Sequence, residues 1–452
     1  MLVSSPMTHY ANESTSMKQP SSSTSSSSAT AKGLLRSFVS TWNNKYKENS
    51  RCYREGGYLT VNKGDVLNRR YEMLAKLGWG EFSTVWLARD KTPTSPHQAF
   101  VAVKIAKCHP SVTNSTKYEI NLLRYISDAP KCNGPITKLV DSFEHQGQYG
   151  PHQCMVMPVM GANLLCIVDQ MKARRRQRSD KEILMLKDIA RSTLKGLDAL
   201  EAINVVHTDI KPENVLVAAP DPKMVKLVAS CVSPDDPALA AFEEGEPGFP
   251  SVAVADFGLS FLLEHPSYLP PGAERVGVKK DLDIQYPGIA NNRKGILIQT
   301  REYRAPEVLF GGTICARSDI WSVGCMVYEL ITGDFLMDPK KKTSNEREMD
   351  IEHLCMMMRI LGPVPQHIAR SSQNPAKHLS RYFDDEGRFL HADRLSNAPR
   401  RCIATELEAF LEPAEAERAA QFIMSCFSYD PLERCHARDL LSHSWLRSLR
   451  GQ

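Results

Sequence analysis

Residues 207 to 216 read His207-Thr208-Asp209-Ile210-Lys211-Pro212-Glu213-Asn214-Val215-Leu216. A carboxylate, an ammonium and a carboxamide follow one another here at short fixed intervals. Together they can accept a hydroxyl proton, neutralise charge on a transferring group and hold a divalent cation, which is the equipment of phosphoryl transfer. A single decapeptide can arise by chance, so the reading depends on what stands before and after it.

Upstream, Leu77-Gly78-Trp79-Gly80-Glu81-Phe82-Ser83-Thr84-Val85 lies between two apolar runs, as a hairpin folded over nucleotide phosphates would. Gly78 and Gly80 permit close approach of backbone to phosphate. Ser83 stands where a third glycine is usual, and an ordinary hairpin could carry the same pattern. Val101-Ala102-Val103-Lys104-Ile105 alternates as a strand with Lys104 as its one charge. Lys104 fits a phosphate-gripping lysine, or else a structural lysine on an edge strand. Glu119, on the helix-like stretch Lys117 to Leu123, is its expected partner. Downstream, Val252-Ala253-Val254 runs into Ala255-Asp256-Phe257-Gly258, whose Asp256 suits a cation bridging phosphates. Ala305-Pro306-Glu307 follows, then an apolar helix opening Ser318-Asp319-Ile320-Trp321, whose buried aspartate is expected to brace residues 207–216. Arg434 is expected to pair with Glu307 inside the fold, where loss of either would leave an uncompensated charge.

These elements, in this order, resemble the protein kinase family, the standard worked template for this chemistry, and the roles come from that template. It implies Asp209 as the catalytic base with Lys211 beside it, and Asn214 and Asp256 as Mg2+ ligands. The implied ATP site comprises Leu77, Gly78, Trp79, Gly80, Glu81, Phe82, Ser83, Val85, Ala102, Lys104, Glu119, Met157, Pro158, Met160 and Leu216. Cys154 to Met157 reads as the strand entering a hinge at Pro158-Val159-Met160, with Met157 facing the nucleotide or filling the core. Pro158 lacks an N–H but keeps its carbonyl, whereas Met160 offers both. The expected fold class is α+β and bilobal, with a β-rich N-lobe and hinge over 51–163 and an α-rich C-lobe over 164–448. Inserts are expected near 217–250 and 262–295. Residues 1–50 form a Ser-rich tail, too polar to bury a core.

Gly56-Gly57-Tyr58, Leu67-Asn68-Arg69-Arg70-Tyr71 and the Leu-Gly-Trp-Gly string are similar to the start of serine/arginine-protein kinases. His207-Thr208-Asp209 and Gln299-Thr300-Arg301-Glu302-Tyr303-Arg304 resemble the same family, over about residues 52–447. The resemblance implies transfer of the ATP γ-phosphate to serines in Arg/Ser-rich domains of splicing or RNA-processing factors. It also implies an acidic groove that docks arginine-rich peptide, with Asp334, Asp350 and Glu352 as its parts; Arg359, expected on the following helix, replaces an acidic residue of the pattern. A Cdc2-like dual-specificity kinase also uses His-Thr-Asp, and a pseudokinase scaffold is opposed by intact Lys104, Asp209, Asn214 and Asp256.

Thr208 stands where many kinases carry an arginine that grips an activation-loop phosphate, a bidentate contact threonine cannot make. Activity without loop phosphorylation is the expectation, unless another arginine such as Arg304 takes over. The stretch Ser233 to Pro250, rich in Asp, Glu, Pro and Gly, reads as a disordered surface loop. The basic run Lys172, Arg174, Arg175, Arg176, Arg178 reads as a solvated linker between two helices, the alternative being a site for phosphorylated substrate or RNA.

With 452 residues, 42% of them hydrophobic, the chain exceeds one core and can bury a large interior. A net charge of +4 is too small to argue for nucleic acid binding. Twelve scattered cysteines without a C-x-x-C pair suggest reduced thiols, hence cytoplasm and nucleus. No signal core or run of 18 apolar residues is visible, so neither secretion nor membrane spanning is expected. A monomer is expected.

Overall fold

The computed structural model describes residues 49–218, 222–244, 252–263, 298–312, 314–341, 343–370, 379–396 and 399–447. The serine-rich tail up to residue 48 lies outside the described residues, and so does all of the second expected insert, 262–295, beyond residue 263.

The N-terminal lobe is a six-stranded antiparallel sheet in the order β1-β2-β3-β4-β6-β5. Its strands are β1 Val66–Leu67, β2 Tyr71–Trp79, β3 Ser83–Asp90, β4 Phe100–Ala106, β5 Asp141–Gly147 and β6 Gly150–Pro158. Alternation divides the side chains between two faces. Met73, Trp86, Val101, Val103 and Ile105 form one apolar cluster, and Leu77, Leu87 and Ala102 belong to another. Helix α1, Pro110–Asp128, starts with proline at a position whose N–H has no intrahelical acceptor, and buries Glu119, Ile120, Leu122, Leu123 and Ile126.

The C-terminal lobe begins with α2 Leu165–Arg174 and α3 Asp180–Glu201, the latter opened by a reciprocal Ser179/Glu182 capping box. Short strands β7 Val205–Val206, β8 Val215–Val217, β9 Val252–Val254 and β10 Phe261–Leu262 pair antiparallel, β7 with β10 and β8 with β9. Between β8 and β9 lie α4 Pro222–Cys231 and α5 Pro237–Glu244. Then come α6 Pro306–Phe310, α7 Arg317–Thr332, α8 Glu346–Leu361 and α9 Pro413–Ser425. Ile120 and Leu123 of α1, Ile189 of α3, Trp321 of α7 and Phe422 of α9 share one core. No helix among the described residues is long and apolar enough to cross a membrane.

Of the stretch Ser233 to Pro250 expected as a disordered surface loop, Pro237–Glu244 is instead helix α5, packed with α4 against the N-lobe, and 245–250 lie outside the described residues. Met224, Val228, Ala238, Leu239 and Phe242 of α4 and α5 are buried in one cluster with Leu74, Leu77, Leu87, Phe100, Ala102 and Val159 of the N-lobe and hinge. Phe242 stands edge-on to Phe100 at 5.5 Å, Asp236 pairs with Arg89, and His97 Nδ1 donates to the Ala241 carbonyl at 2.9 Å. Asp236 lies within the stretch expected as a surface loop. Its carboxylate is buried against an arginine, and the apolar residues around it recur at helical spacing.

Candidate active site

The stretch 207–216 is held from below by α7. Asp319 accepts the backbone N–H groups of His207 and Thr208, each at 2.8 Å. His207 Nε2 donates to the Ala255 carbonyl at 3.0 Å while its Nδ1 accepts from the Asp209 N–H at 3.2 Å, which fixes a neutral tautomer. Burial pushes His207 below its usual range in agreement. Thr208 has φ 67, a costly conformation for a β-branched residue. Asp319 on its N–H and a 2.8 Å bond from Oγ1 to the Leu259 carbonyl offset that cost.

Four groups converge on the Asp209 carboxylate. Oδ1 accepts from Thr300 Oγ1 at 2.8 Å and from the Thr300 N–H at 3.2 Å. Oδ2 accepts from Asn214 Nδ2 at 2.8 Å and meets Lys211 Nζ at 2.8 Å. Lys211 also donates to Thr300 Oγ1 at 2.8 Å. Thr300 was missed in the sequence as a site residue: it lies 91 positions from Asp209, and no local pattern joins the two.

On the nucleotide side, β2 and β3 align Gly78 with Val85 and Trp79 with Thr84, so residues 80–82 form the hairpin tip. Tyr58 Oη donates to the Gly80 carbonyl at 2.6 Å, which ties the Gly56-Gly57-Tyr58 segment to the glycine loop. Trp79 at the end of β2 and Glu81 and Phe82 at the tip are exposed, whereas Ser83 is buried where β3 begins. Lys104 Nζ lies 2.9 Å from Glu119 Oε1 and 3.5 Å from Asp256 Oδ1. Burial works against the Lys104 charge, but Glu119 and Asp256 prevail and raise it above the ordinary lysine range. The same ammonium is the main cause holding Asp256 below the usual carboxylate range. Ala102 pairs with Met157 across β4 and β6, where Pro158 ends the strand. Met160 is buried against Ala218 and Ala253, with Leu216 alongside. The Ala255 N–H donates to the Asn214 carbonyl at 2.9 Å, so the chain segments carrying Asn214 and Asp256 are neighbours.

The expected docking residues are placed otherwise than as a row of free carboxylates. Asp350 pairs with Arg301 and accepts from Tyr382 Oη at 3.0 Å. Glu352 is buried, and Asp334 meets Arg175 at 2.7 Å. Arg359 belongs to α8 itself, one helix with Asp350 and Glu352, and is not on a following helix. The expected interior pair does form, Arg434 Nη1 to Glu307 Oε1 at 2.8 Å.

The family model for the protein kinase domain matches residues 71–446, and the chain belongs to that family. A crystal structure of a kinase domain superposes with a TM-score of 0.59 at 24% identity, covering 86% of this chain and 98% of that one. Serine/threonine-protein kinase SRPK of Physarum polycephalum is 32% identical over 88% of this chain and 91% of its own. Protein kinase dsk1 of Schizosaccharomyces pombe is 27% identical over 89% and 86%, and SRSF protein kinase 3 of Mus musculus 27% over 88% and 90%. Within the kinases, this chain is thus a serine/threonine kinase of the serine/arginine-protein kinase branch.

Proposed function

We propose that this kinase transfers the γ-phosphoryl group of ATP to serines in Arg/Ser-rich segments of splicing or RNA-processing factors. The observation that carries the reading is the Asp209 carboxylate held between Thr300, Asn214 and Lys211, in a chain whose relatives bear SR-protein kinase names. Asp209 would orient a substrate hydroxyl and accept its proton, and Lys211 would neutralise charge on the phosphoryl oxygens. Lys104, oriented by Glu119, would grip the α and β phosphates. The donor set suits Mg2+: Asn214 gives its amide nitrogen to Asp209 and keeps its oxygen, and Asp256 presents a partly exposed carboxylate beside Lys104. When bound, the metal supplies charge neutralisation between phosphate oxygens. The residues themselves contribute position and preset charge. Activity as a monomer in cytoplasm and nucleus, without nucleic acid or membrane contacts, belongs to the same proposal; for the compartment, its support is that none of the twelve cysteines forms a disulfide.

The test is labelled γ-phosphate transfer to Arg-Ser repeats, Lys-Ser repeats and a proline-directed peptide, with Asp256→Ala as control. Strong Arg-Ser labelling, weaker Lys-Ser labelling and loss of both in the control are expected, because lysine lacks the guanidinium fork. Preference for the proline-directed peptide would discard the substrate class. Absence of transfer to all three would favour a scaffold.

A further inference from the structure

The basic run that ends α2 divides into three parts. Arg178 is buried, with Nε on the Ile331 carbonyl at 2.9 Å and Nη2 on that of Met171 at 3.2 Å. Arg174 and Arg176 meet the buried Glu182 at 3.5 Å and 3.0 Å. Lys172 and Arg175 turn to Asp334, at 3.8 Å and 2.7 Å. The contact is built into the backbone: Gly333 has φ +81, and a Cβ there would lie 2.4 Å from the Lys172 nitrogen. The end of α2 and the turn after α7 therefore touch directly.

Asp334 differs from the other two expected docking residues in what surrounds it. Arg301 on Asp350 is only 5% exposed, and Glu352 is itself buried, so neither offers an exchangeable site. Around Asp334 all three side chains of the cluster reach water: its own is 32% exposed, that of Arg175 61% and that of Lys172 59%. An ion pair so exposed is screened and mobile, and another cation can replace its partner. The run Lys172-Ala173-Arg174-Arg175-Arg176-Gln177-Arg178-Ser179 has the composition of an Arg/Ser segment. Its serine is not a free acceptor, because Ser179 caps α3 and bonds Glu182.

We propose that Arg175, assisted by Lys172, is a built-in competitor for substrate arginine at Asp334, so that docking of an arginine-rich segment begins by exchange of one guanidinium for another. The proposal rests on the Arg/Ser substrate reading and makes Arg175 a specificity-determining residue outside the catalytic centre.

The experiment measures KM and kcat for a long Arg/Ser repeat and for a short single-serine peptide lacking distal arginines. The enzymes are wild type, Arg175→Ala, Arg175→Lys, Asp334→Ala and the Arg175→Ala/Asp334→Ala double variant. Arg175→Ala lowers KM for the long peptide about two- to fivefold, the factor an exposed ion pair supplies, with kcat and the short peptide unchanged. Arg175→Lys falls between, and the gain vanishes in the double variant. Unchanged or raised KM for the long peptide in Arg175→Ala, an equal fall for both peptides, or an Asp334→Ala protein that binds the long peptide normally would each overturn the proposal. No transfer to either Arg/Ser peptide by a wild type that still labels the proline-directed one removes the substrate reading, and the competitor with it. Normal wild-type transfer without the Arg175→Ala effect removes the competitor alone.

Discussion

Asp319 bonds both backbone N–H groups of His207 and Thr208, and so α7 holds the catalytic stretch from a distance of more than a hundred residues. Burial pushes its carboxyl up to about 7, against the pull of the two N–H groups. In the unfolded chain the group titrates near 3.8, so between these values the native state keeps a proton that the unfolded state has released. The stability this group contributes is complete below the unfolded value and lost as pH rises through the folded one. The urea midpoint of the wild type is therefore expected to fall from pH 5 to pH 8, and Asp319→Asn to show a shallower slope. An unchanged slope in the variant would assign the dependence elsewhere, first to Glu329, whose carboxyl burial pushes up to about 8.

Lys104 and Glu119 form a charged hydrogen bond at 2.9 Å in a site where Asp256 also competes for the ammonium. Glu119→Gln leaves Lys104 to lean toward Asp256, away from its phosphate-gripping position. A hydrogen bond to a charged group is worth about 1.5–3 kcal/mol, so kcat/KM for ATP should drop about 10- to 100-fold, read from initial rates at limiting ATP. A loss below threefold would mean that the pair does not orient the lysine.

Much of this was legible in the sequence because the catalytic groups sit in short contiguous strings. His207 to Leu216, Gly78 to Val85 and Ala255 to Gly258 each fix local chemistry, and their order fixed the bilobal fold. Relations across the chain were less visible. Asp319 and the Glu307–Arg434 pair were found through their surrounding motifs, whereas Thr300 and Tyr58 meet Asp209 and Gly80 only through tertiary folding. The docking residues show the same limit: a carboxylate's spacing in sequence does not reveal that Arg301 or Arg175 already faces it. For α5, the acidic and Pro/Gly-rich surroundings of Ser233 to Pro250 outweighed an apolar helical spacing that was present to be read.

Phe242 is the apolar anchor of that insert, 5% exposed and edge-on to Phe100. Phe242→Ala would open a cavity between the insert and the sheet, at a cost of about 3–5 kcal/mol if the site cannot collapse. Urea denaturation should show that loss, and protection of Ala102 and Val159 amides from hydrogen exchange should weaken with it, since both share the cluster. A variant with wild-type stability would mean that α4 and α5 rest on the N-lobe without supporting it.

Loop phosphorylation has little left to organise around Thr208. Its side chain is fully buried and bonded to the Leu259 carbonyl, so the position that could carry a phosphate-gripping arginine instead secures the chain just after Asp256. Arg304, the other candidate, is buried, with Nε on the Ile298 carbonyl at 3.1 Å and Nη2 on that of Gln299 at 2.9 Å. On the far side of the segment, Thr300 is fixed by Asp209 and Lys211. Both ends flanking residues 264–297 are thus anchored by preformed contacts: Thr208 brings no cation, and the Arg304 guanidinium is buried, with Nε and Nη2 on backbone carbonyls and Nη1 enclosed without a hydrogen-bond partner among the described residues. Phosphatase-treated enzyme should keep its kcat within about twofold of untreated enzyme, since neither Thr208 nor the buried Arg304 presents a cation to a loop phosphate. Thr208→Ala should lower stability by about 1 kcal/mol through loss of the Oγ1 bond. Abolition of activity by phosphatase, restored on rephosphorylation, would refute the expectation and place a phosphate-binding cation elsewhere.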